Sequence, residues 1–484
     1  MDCLQRKTSG SYYTPTDVVQ TLVRWAVRSP TDRMLDPACG DGRFLLAHPN
    51  SVGVEQDAAA ATLVRSKAPG RLTHEGDFFS WAGSTRRRFE CAAGNPPFIR
   101  YQRFSGKVRK AAVDLCQRHG AKLTNLSSSW APFVVATASL LEPGGRMAFV
   151  VPAEIGHAPY AKPVLEYLAS HFDVVHVVAI RRKLFPRLSE DCWLLYCNGY
   201  AGRSGFFRFS ALERFEFMPV PPPTFQLVSL KQWRLWNGRL RPFLMSPLSR
   251  DLYRAIAGAP AAMRLGDVAR VGIGYVTGAN DFFHLRPSDA RTLRIPDRFL
   301  HPTVRNGKAL GGRAITRSTV EAWRRKDEPI LLLRITADDH LPSSVRGYLD
   351  CPEGELARGA YKCRTRRPWW VVPDVSVPNA FLSYMSGSSP RLVANRAGCV
   401  GTNSVHVVKL NGAMSISKLQ RIWQEDFTRL SCEIEGHPLG GGLLKLEPRE
   451  AARVLLCRDD FATGTQQSIR EGIEAMQRWR HHGG

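Results

Sequence analysis

A doubly wound α/β sheet followed by a mixed α+β domain is the fold class this sequence predicts. Three observations lead there. Short apolar runs alternate with helix-like segments from Met34 to Tyr196. A glycine-rich turn, Asp36-Pro37-Ala38-Cys39-Gly40-Asp41-Gly42, joins the first run to the first helix. Beyond the proline cluster Pro219-Val220-Pro221-Pro222-Pro223 the alternation is lost.

Met34-Leu35 ends the first strand, and a helix runs through Arg43–Leu46. Ser51–Val54 reads as the second strand, Ala58–Lys67 as a helix, Leu72–His74 as the third strand and Phe89–Ala93 as the fourth. A helix over Trp130–Leu141 is expected to stop at Pro143-Gly144-Gly145. Strands follow at Met147–Val151, Val174–Val178 and Cys192–Tyr196. This order packs as a mostly parallel sheet with helices on both faces. The prolines after Met218 suit a stiff, extended connection over 218–259. Residues 260–484 then mix strands, loops and helices, and the tail from Arg478 to Gly484 is expected to fray.

At roughly 100–200 residues per domain, 484 residues allow two or three domains. A 44% apolar and 23% charged composition is that of a globular chain, not a disordered one. The formal net charge of +24 concerns partners, and nucleic acid is the commonest polyanion. None of the 11 cysteines is spaced from another by only two residues, which argues against a zinc ribbon, and no metal is expected. The start of the chain, Met1–Lys7, has no secretory pattern, and no apolar run approaches the roughly 20 residues that span a bilayer. A reducing cytoplasm and no membrane partner are expected.

Asn95-Pro96-Pro97-Phe98 follows the fourth strand. Two prolines end the ladder and stiffen the backbone. The resulting turn presents an amide, a proline carbonyl and an aromatic ring. Asn95 Oδ1 and the Pro96 carbonyl can each accept one N–H of a planar amine, while Phe98 stacks on its ring.

The ends of the first three strands make a matching crevice. Glycines at Gly40 and Gly42, with Ala38 between them and Asp36, let a ligand approach the backbone. Glu55 ends the second strand, where an acid binds ribose hydroxyls. Asp77-Phe78 follows the third, offering a carboxylate for an adenine amine and a ring for its face. Each also has an ordinary explanation: Glu55 as a helix cap, Asp77 as a turn residue, Phe78 as core. The turn has neither the Gly-Lys-Ser/Thr ending of a P-loop nor the three-glycine dinucleotide pattern. An acid-rich crevice suits a cofactor without phosphates, and S-adenosylmethionine fits.

Taken in order, these residues resemble the gamma class of N6-adenine DNA methyltransferases, of the Taq-like restriction–modification type. The resemblance starts at Gly10-Ser11-Tyr12-Tyr13-Thr14-Pro15. It runs through Asp36–Gly42, Glu55, Asp77-Phe78 and Asn95–Phe98 to Phe149-Val150-Val151-Pro152 and Lys183-Leu184-Phe185-Pro186. Gly272–Phe283, Arg367–Trp370, Gly401–Ser404 and Gly440–Leu446 are similar to segments of that group's target-recognition domains. The resemblance implies a Rossmann-like class I methyltransferase domain over 1–217, a linker over 218–259 and a target-recognition domain over 260–484. It implies that Thr14, Asp36, Glu55, Asp77 and Phe78, with the turn around Ala38, Gly40 and Gly42, hold S-adenosylmethionine. Asn95, Pro96, Phe98 and Phe185 would hold the adenine. Phe98 stands where many relatives carry Tyr, which keeps stacking and removes a hydroxyl.

The implied activity is site-specific methylation of adenine N6 in double-stranded DNA, with any cognate endonuclease a separate protein. The base must leave the helix to be reached. Two other readings stay open. A glutamine N5 methyltransferase acting on a release factor shares the Asn-Pro-Pro-aromatic turn but needs no large basic domain. An inactive DNA-binding module would not need intact Asp36–Gly42 and Asn95–Phe98. N4 methylation of cytosine also stays open, although that class usually has Ser at the place of Asn95. His119, His157 and His171 fall on separate helix-like segments, where surface or capping duty suffices. Leu115 before Cys116 stands where a carbon-5 cytosine methyltransferase needs proline. Trp369-Trp370 reads equally as a DNA-facing pair or as core.

Overall fold

The structure is a computed structural model that describes residues 14–99, 103–186, 188, 190–439, 441–458 and 461–480. The chain divides into two compact units, one running to Leu244 and the other from Met245 to His481.

The first unit is built on a nine-stranded sheet. Its strands are β1 (Met34–Asp36), β2 (Ser51–Glu55), β3 (Leu72–Glu75), β4 (Phe89–Gly94), β5 (Leu141–Pro152), β6 (Phe172–Ile180), β7 (Cys192–Tyr200), β8 (Phe206–Leu212) and β9 (Gln226–Ser229). They lie in the order β3-β2-β1-β4-β5-β7-β6-β8-β9. From β3 to β5 all pairings are parallel. The chain winds outward from β1 to β3, then returns to place β4 on the other side of β1. That reversal opens a crevice at the carboxyl ends of β1 and β4, the usual ligand site of such sheets.

Helices cover the sheet: α1 (Thr16–Ala26), α2 (Arg43–Ala47), α3 (Ala58–Lys67), α4 (Phe78–Ser84), α5 (Gly106–Arg118), α6 (Trp130–Ala138) and α7 (Ala161–His171). α1 buries Val18, Val19, Leu22, Val23 and Ala26, a helical stripe, in a cluster with Ala93, Ala148, Val150 and Tyr196 of the sheet. Each fully buried aliphatic of this kind contributes about 1.5–3 kcal/mol. α3 has the expected bounds because Asp57 caps it, accepting from Ala60 N at 2.8 Å.

The sheet is mostly parallel, as expected, with β7 running antiparallel between β5 and β6. Only residues 181–191 join β6 to β7, too few for a parallel crossover with its helix. Pro143-Gly144-Gly145 does not end a helix; α6 stops at Ala138 and the three residues lie inside β5, in an irregularity opposite Glu90. The 218–259 segment is not a free linker. It carries β9, which pairs antiparallel with β8, and the helix Pro247–Ala257, and the units divide after Leu244. The tail is not frayed through Arg480, whose side chain is fully buried in the second unit; residues 481–484 lie outside the described residues.

The second unit is mixed α+β, as expected. A five-stranded sheet (Ala269–Ile273, Val405–Leu410, Ala380–Ser383, Leu392–Asn395, Ala314–Ile315) stands with a four-stranded one (His284–Leu285, Leu331–Leu333, Leu300–Val304, Val400–Gly401). A three-stranded sheet joins Met385–Ser386, Leu443–Lys445 and His437–Leu439. The segments singled out in the sequence meet here. Tyr275 N donates to Gly401 O at 2.9 Å, and Arg366 donates to Val276 O at 2.6 Å and Thr277 O at 2.7 Å. Gly274 is required for that meeting: a Cβ there would fall 2.1 Å from Gly401 O. Trp369 packs against Phe282 and Phe283 with ring centroids 5.7 and 6.3 Å apart, and both tryptophans are half-buried against the core.

Candidate active site

The glycine turn follows β1. Asp36, the last residue of β1, is fully buried. Its Oδ1 accepts from Ala38 N at 3.3 Å, and its Oδ2 is buried without a partner. Burial, reinforced by Glu55 and Asp41, pushes its carboxyl up to about 8, against the Ala38 hydrogen bond. The backbone is left-handed at Gly40 (φ 54°) and Gly42 (φ 82°), which lets the turn fold back over the strand ends. Cys39 is a packing residue, clustered with Leu45 and Val64, and burial raises its thiol well above the usual range.

Glu55 closes the turn from β2. Its Oε2 accepts from Gly40 N at 2.8 Å and its Oε1 from Asp57 N at 2.8 Å. It is therefore not the cap of α3, which is Asp57, and each carboxylate oxygen has a further lone pair for a hydroxyl. Asp77 does cap a helix: its Oδ2 accepts from Ser80 N and Ser80 Oγ, both at 2.8 Å. Phe78 is 3% exposed and stacks on Phe133, centroids 5.0 Å apart and 10° between planes. Both residues stand at the end of β3 as expected, with part of their capacity already engaged.

Asn95 to Phe98 leave the end of β4, across the switch point from Asp36. Asn95 Nδ2 donates to Thr14 Oγ1 at 3.2 Å, while Asn95 Oδ1 is buried with no partner. Pro96 is buried and Phe98 half-buried. Phe98 packs on the cluster that contains Leu184, Phe185 and Leu188, so the two rings expected to receive a base belong to one apolar patch. Phe185 is 7% exposed. Thr14 of the N-terminal motif is 4% exposed; Gly10 to Tyr13 lie outside the described residues.

Two contributors escaped the sequence reading. Ser129 Oγ donates to Pro97 O and accepts from Ile99 N at 2.8 Å, and Ser129 N donates to Ile99 O at 3.0 Å. Ser127-Ser128-Ser129 ahead of an apolar helix is legible as a cap, but this hydroxyl makes no cap hydrogen bond. Arg43 was likewise read only as helix. Its Nη1 donates to Thr14 O at 3.0 Å and its Nε to Asp41 Oδ2 at 2.7 Å. The histidines stay apart from this set of contacts: His119 follows α5, His171 ends α7 and bonds Tyr167 O, and His157 follows the turn Ala153–Gly156. Among the described residues no group of three His, Cys, Asp or Glu could hold a metal, and no helix is long and apolar enough to cross a membrane.

The chain can thus present a buried carboxyl with one unpaired oxygen at one strand end and a buried unpaired amide oxygen at the next. Comparisons with known proteins concern the chain as a whole. The family described as "Type II methyltransferase M.Eco57I, C-terminal domain" matches residues 238–480, about half of the chain, and "N-6 DNA Methylase" matches residues 4–64. The type II methyltransferase M.XamI of Xanthomonas campestris pv. amaranthicola is 24% identical over 469 residues, covering 92% of this chain and 84% of that protein. M.AccI of Acinetobacter calcoaceticus is 19% identical over the same coverage. Among solved structures, the type IIL restriction–modification enzyme MmeI in complex with DNA aligns with a TM-score of 0.55 at 12% identity, over 94% of this chain and 69% of that one. This last likeness concerns the fold alone. The chain spans 62% of another structural neighbour, the type IIG restriction endonuclease BpuSI, at 14% identity and a TM-score of 0.43.

Proposed function

The chain belongs to the family of the type II methyltransferase M.Eco57I, and we propose that it transfers a methyl group from S-adenosylmethionine to the N6 amine of an adenine turned out of duplex DNA. The observation that carries this reading is the orphaned Asn95 Oδ1, an acceptor held dry beside an aromatic patch. A buried acceptor without a partner costs about 1–3 kcal/mol, which an incoming N–H would offset. The residues also fit the cofactor. Asp36 keeps an unpaired, buried oxygen where a positively charged group would be held. S-adenosylmethionine, when bound, supplies an electrophilic methyl on a cationic sulfur.

The chain's own residues do the rest. Asn95 Oδ1 and the Pro96 carbonyl take the two N–H bonds of the amine, drawing its lone pair out of conjugation with the ring. No strong base is needed, because the nitrogen loses its proton only after it has gained the methyl. Phe98 and Phe185 receive the base, each stack contributing about 1–3 kcal/mol toward the cost of extrusion. Glu55 would hold the ribose hydroxyls, Asp77 would meet the cofactor's adenine amine and Phe78 would line its face. The turn Ala38–Gly42 gives the backbone approach.

The second unit is assigned to DNA. Lys362 and Arg364 flank the exposed ring of Tyr361, at 5.9 and 5.5 Å from its centroid. With Arg367, they form no ion pair among the described residues. Cys363 and Arg366 pin the segment to Thr277, so its cations face outward on a fixed base. The M.Eco57I family match across 238–480 gives the release-factor reading no use for that half of the chain. Curated relatives that the chain spans to 84% are named methyltransferases, which supports a modification enzyme with a separate cognate endonuclease, working where the DNA is, in the cytoplasm.

The test is mass spectrometry of nucleosides from duplex DNA treated with the purified chain and S-adenosylmethionine. N6-methyladenine is expected from the parent, and at least about 10²-fold less from Asn95→Ala, the cost of one preorganised hydrogen-bonding group. N4-methylcytosine instead would overturn the choice of base, and no methylated base would overturn the reading.

A further inference from the structure

An amide is a useful acceptor only if its oxygen faces the amine. Nothing inside Asn95 settles that, because its side chain carries an oxygen and an NH2 of nearly equal shape. In this structure the NH2 is the end that is held. Thr14 Oγ1 takes a hydrogen bond from Asn95 Nδ2 at 3.2 Å, leaving Oδ1 turned away, buried and unpaired. Thr14 is itself fixed, being 4% exposed with its carbonyl held by Arg43 Nη1 at 3.0 Å. Arg43 is tied in turn to Asp41 of the glycine turn at 2.7 Å.

The second acceptor has a comparable difficulty. Pro96 and Pro97 carry no N–H, so the turn cannot be stapled through its own donors. It is held from its carbonyl side and from the next residue. Ser129 Oγ bridges Pro97 O and Ile99 N, and Ser129 N closes on Ile99 O. Ser129 is fully buried, so water cannot substitute for it.

We propose that Thr14 and Ser129 are positioning residues: two buried hydroxyls that aim the two acceptors of the Asn95–Phe98 turn at the target amine. Thr14 acts through the Asn95 side chain, and Ser129 through the peptides that follow Pro96. The chain Asp41–Arg43–Thr14–Asn95 also ties the glycine turn to the amide, so the two halves of the crevice are set by one run of hydrogen bonds. This inference rests on the reading of Asn95 and Pro96 as amine acceptors.

The experiment uses the full chain with duplex DNA and S-adenosylmethionine at saturating concentrations, and compares the parent, Thr14→Val, Thr14→Ser, Ser129→Ala and Asn95→Ala. Thr14→Val keeps the shape of the side chain and removes the hydroxyl. It is expected to lower kcat at least tenfold while the KM for DNA stays within about twofold, the pattern of a contact that matters only in the transition state. Thr14→Ser should recover most of kcat. Ser129→Ala should give the same split. Thr14→Val added to Asn95→Ala should cost nothing further, since the hydroxyl has no other amide to aim.

The inference is overturned if Thr14→Val keeps kcat, if its whole loss lies in the KM for S-adenosylmethionine, or if it compounds the loss of Asn95→Ala. In those cases the parent still methylates DNA and the proposed function stands. A parent without transfer activity overturns both.

Discussion

Replacing Arg480 with Met is expected to unfold much of the second unit, although the residue lies only four positions from the C-terminus. Its guanidinium is fully buried and meets the carboxylate of Glu433, itself 1% exposed, through Nε at 3.0 Å and Nη2 at 2.8 Å. The remaining donors reach Gly387 O, Ser388 O and Gly442 O. One side chain thus ties the end of the C-terminal helix (Thr463–Arg478) to the helix Asp426–Glu435 and to both loops of the three-stranded sheet. Arg480→Met takes the guanidinium from the buried Glu433 carboxylate, which keeps Gln477 Nε2 at 3.3 Å, a loss of about 3–5 kcal/mol. Gly387 and Ser388 are exposed and can turn to water, but Gly442 is buried, and its carbonyl adds about 1–3 kcal/mol. Against a typical domain stability of about 5–15 kcal/mol that loss is decisive.

Urea unfolding followed by tryptophan fluorescence reads it directly, as a fall in the midpoint of the second unit's transition. The double variant Arg480→Met with Glu433→Leu removes the charge as well and should recover all but the roughly 1–3 kcal/mol of the Gly442 carbonyl. A single variant within about 1 kcal/mol of the parent, or a double variant as unstable as the single, would refute the reasoning.

Three further outcomes follow from charge. Asp36 holds its proton in the folded state up to about pH 8, while in the unfolded chain it ionises near pH 4. Raising the pH between those values therefore lowers stability, by at most about 1.4 kcal/mol per unit from this group, and the effect levels off above pH 8. Holding a cationic ligand needs the carboxylate, so affinity for S-adenosylmethionine should climb with pH up to about 8, with proton release, and Asp36→Asn should flatten the slope. Calorimetry in buffers of different ionisation enthalpy measures this, and a pH-independent affinity between 6 and 8 in the parent would count against it. Lys362→Ala with Arg364→Ala should weaken binding to every duplex alike and lower the salt slope by about 0.9 per lost phosphate contact. Gel-shift titrations at several salt concentrations check this, and a loss confined to one DNA sequence would show that these residues read bases.

Much of the crevice was legible because it is made of local patterns. A strand that ends in Asp36, turns at Gly40 and Gly42 and enters a helix needs only neighbouring residues to be recognised, and so does a strand that ends in Asn95-Pro96-Pro97-Phe98. The bounds of α3 were readable from local pattern as well, and its cap, Asp57, stands directly before it. What the pattern could not disclose was how each acid would divide its lone pairs. Asp77 spends one oxygen on Ser80, and Phe78 gives one face to Phe133, 55 positions along the chain.

Sequence alone determined that the first unit would carry a switch-point crevice with an acid at each strand end and an amide turn opposite. Those features follow from backbone periodicity, from glycine and from proline, all of which act within a few residues. Tertiary structure alone decided which atoms remained unpaired. Thr14 reaches Asn95 across 81 positions, Ser129 reaches Ile99 across 30 and Arg480 reaches Glu433 across 47. A hydroxyl or guanidinium can satisfy any acceptor within reach, and only the packed chain determines which acceptor that is.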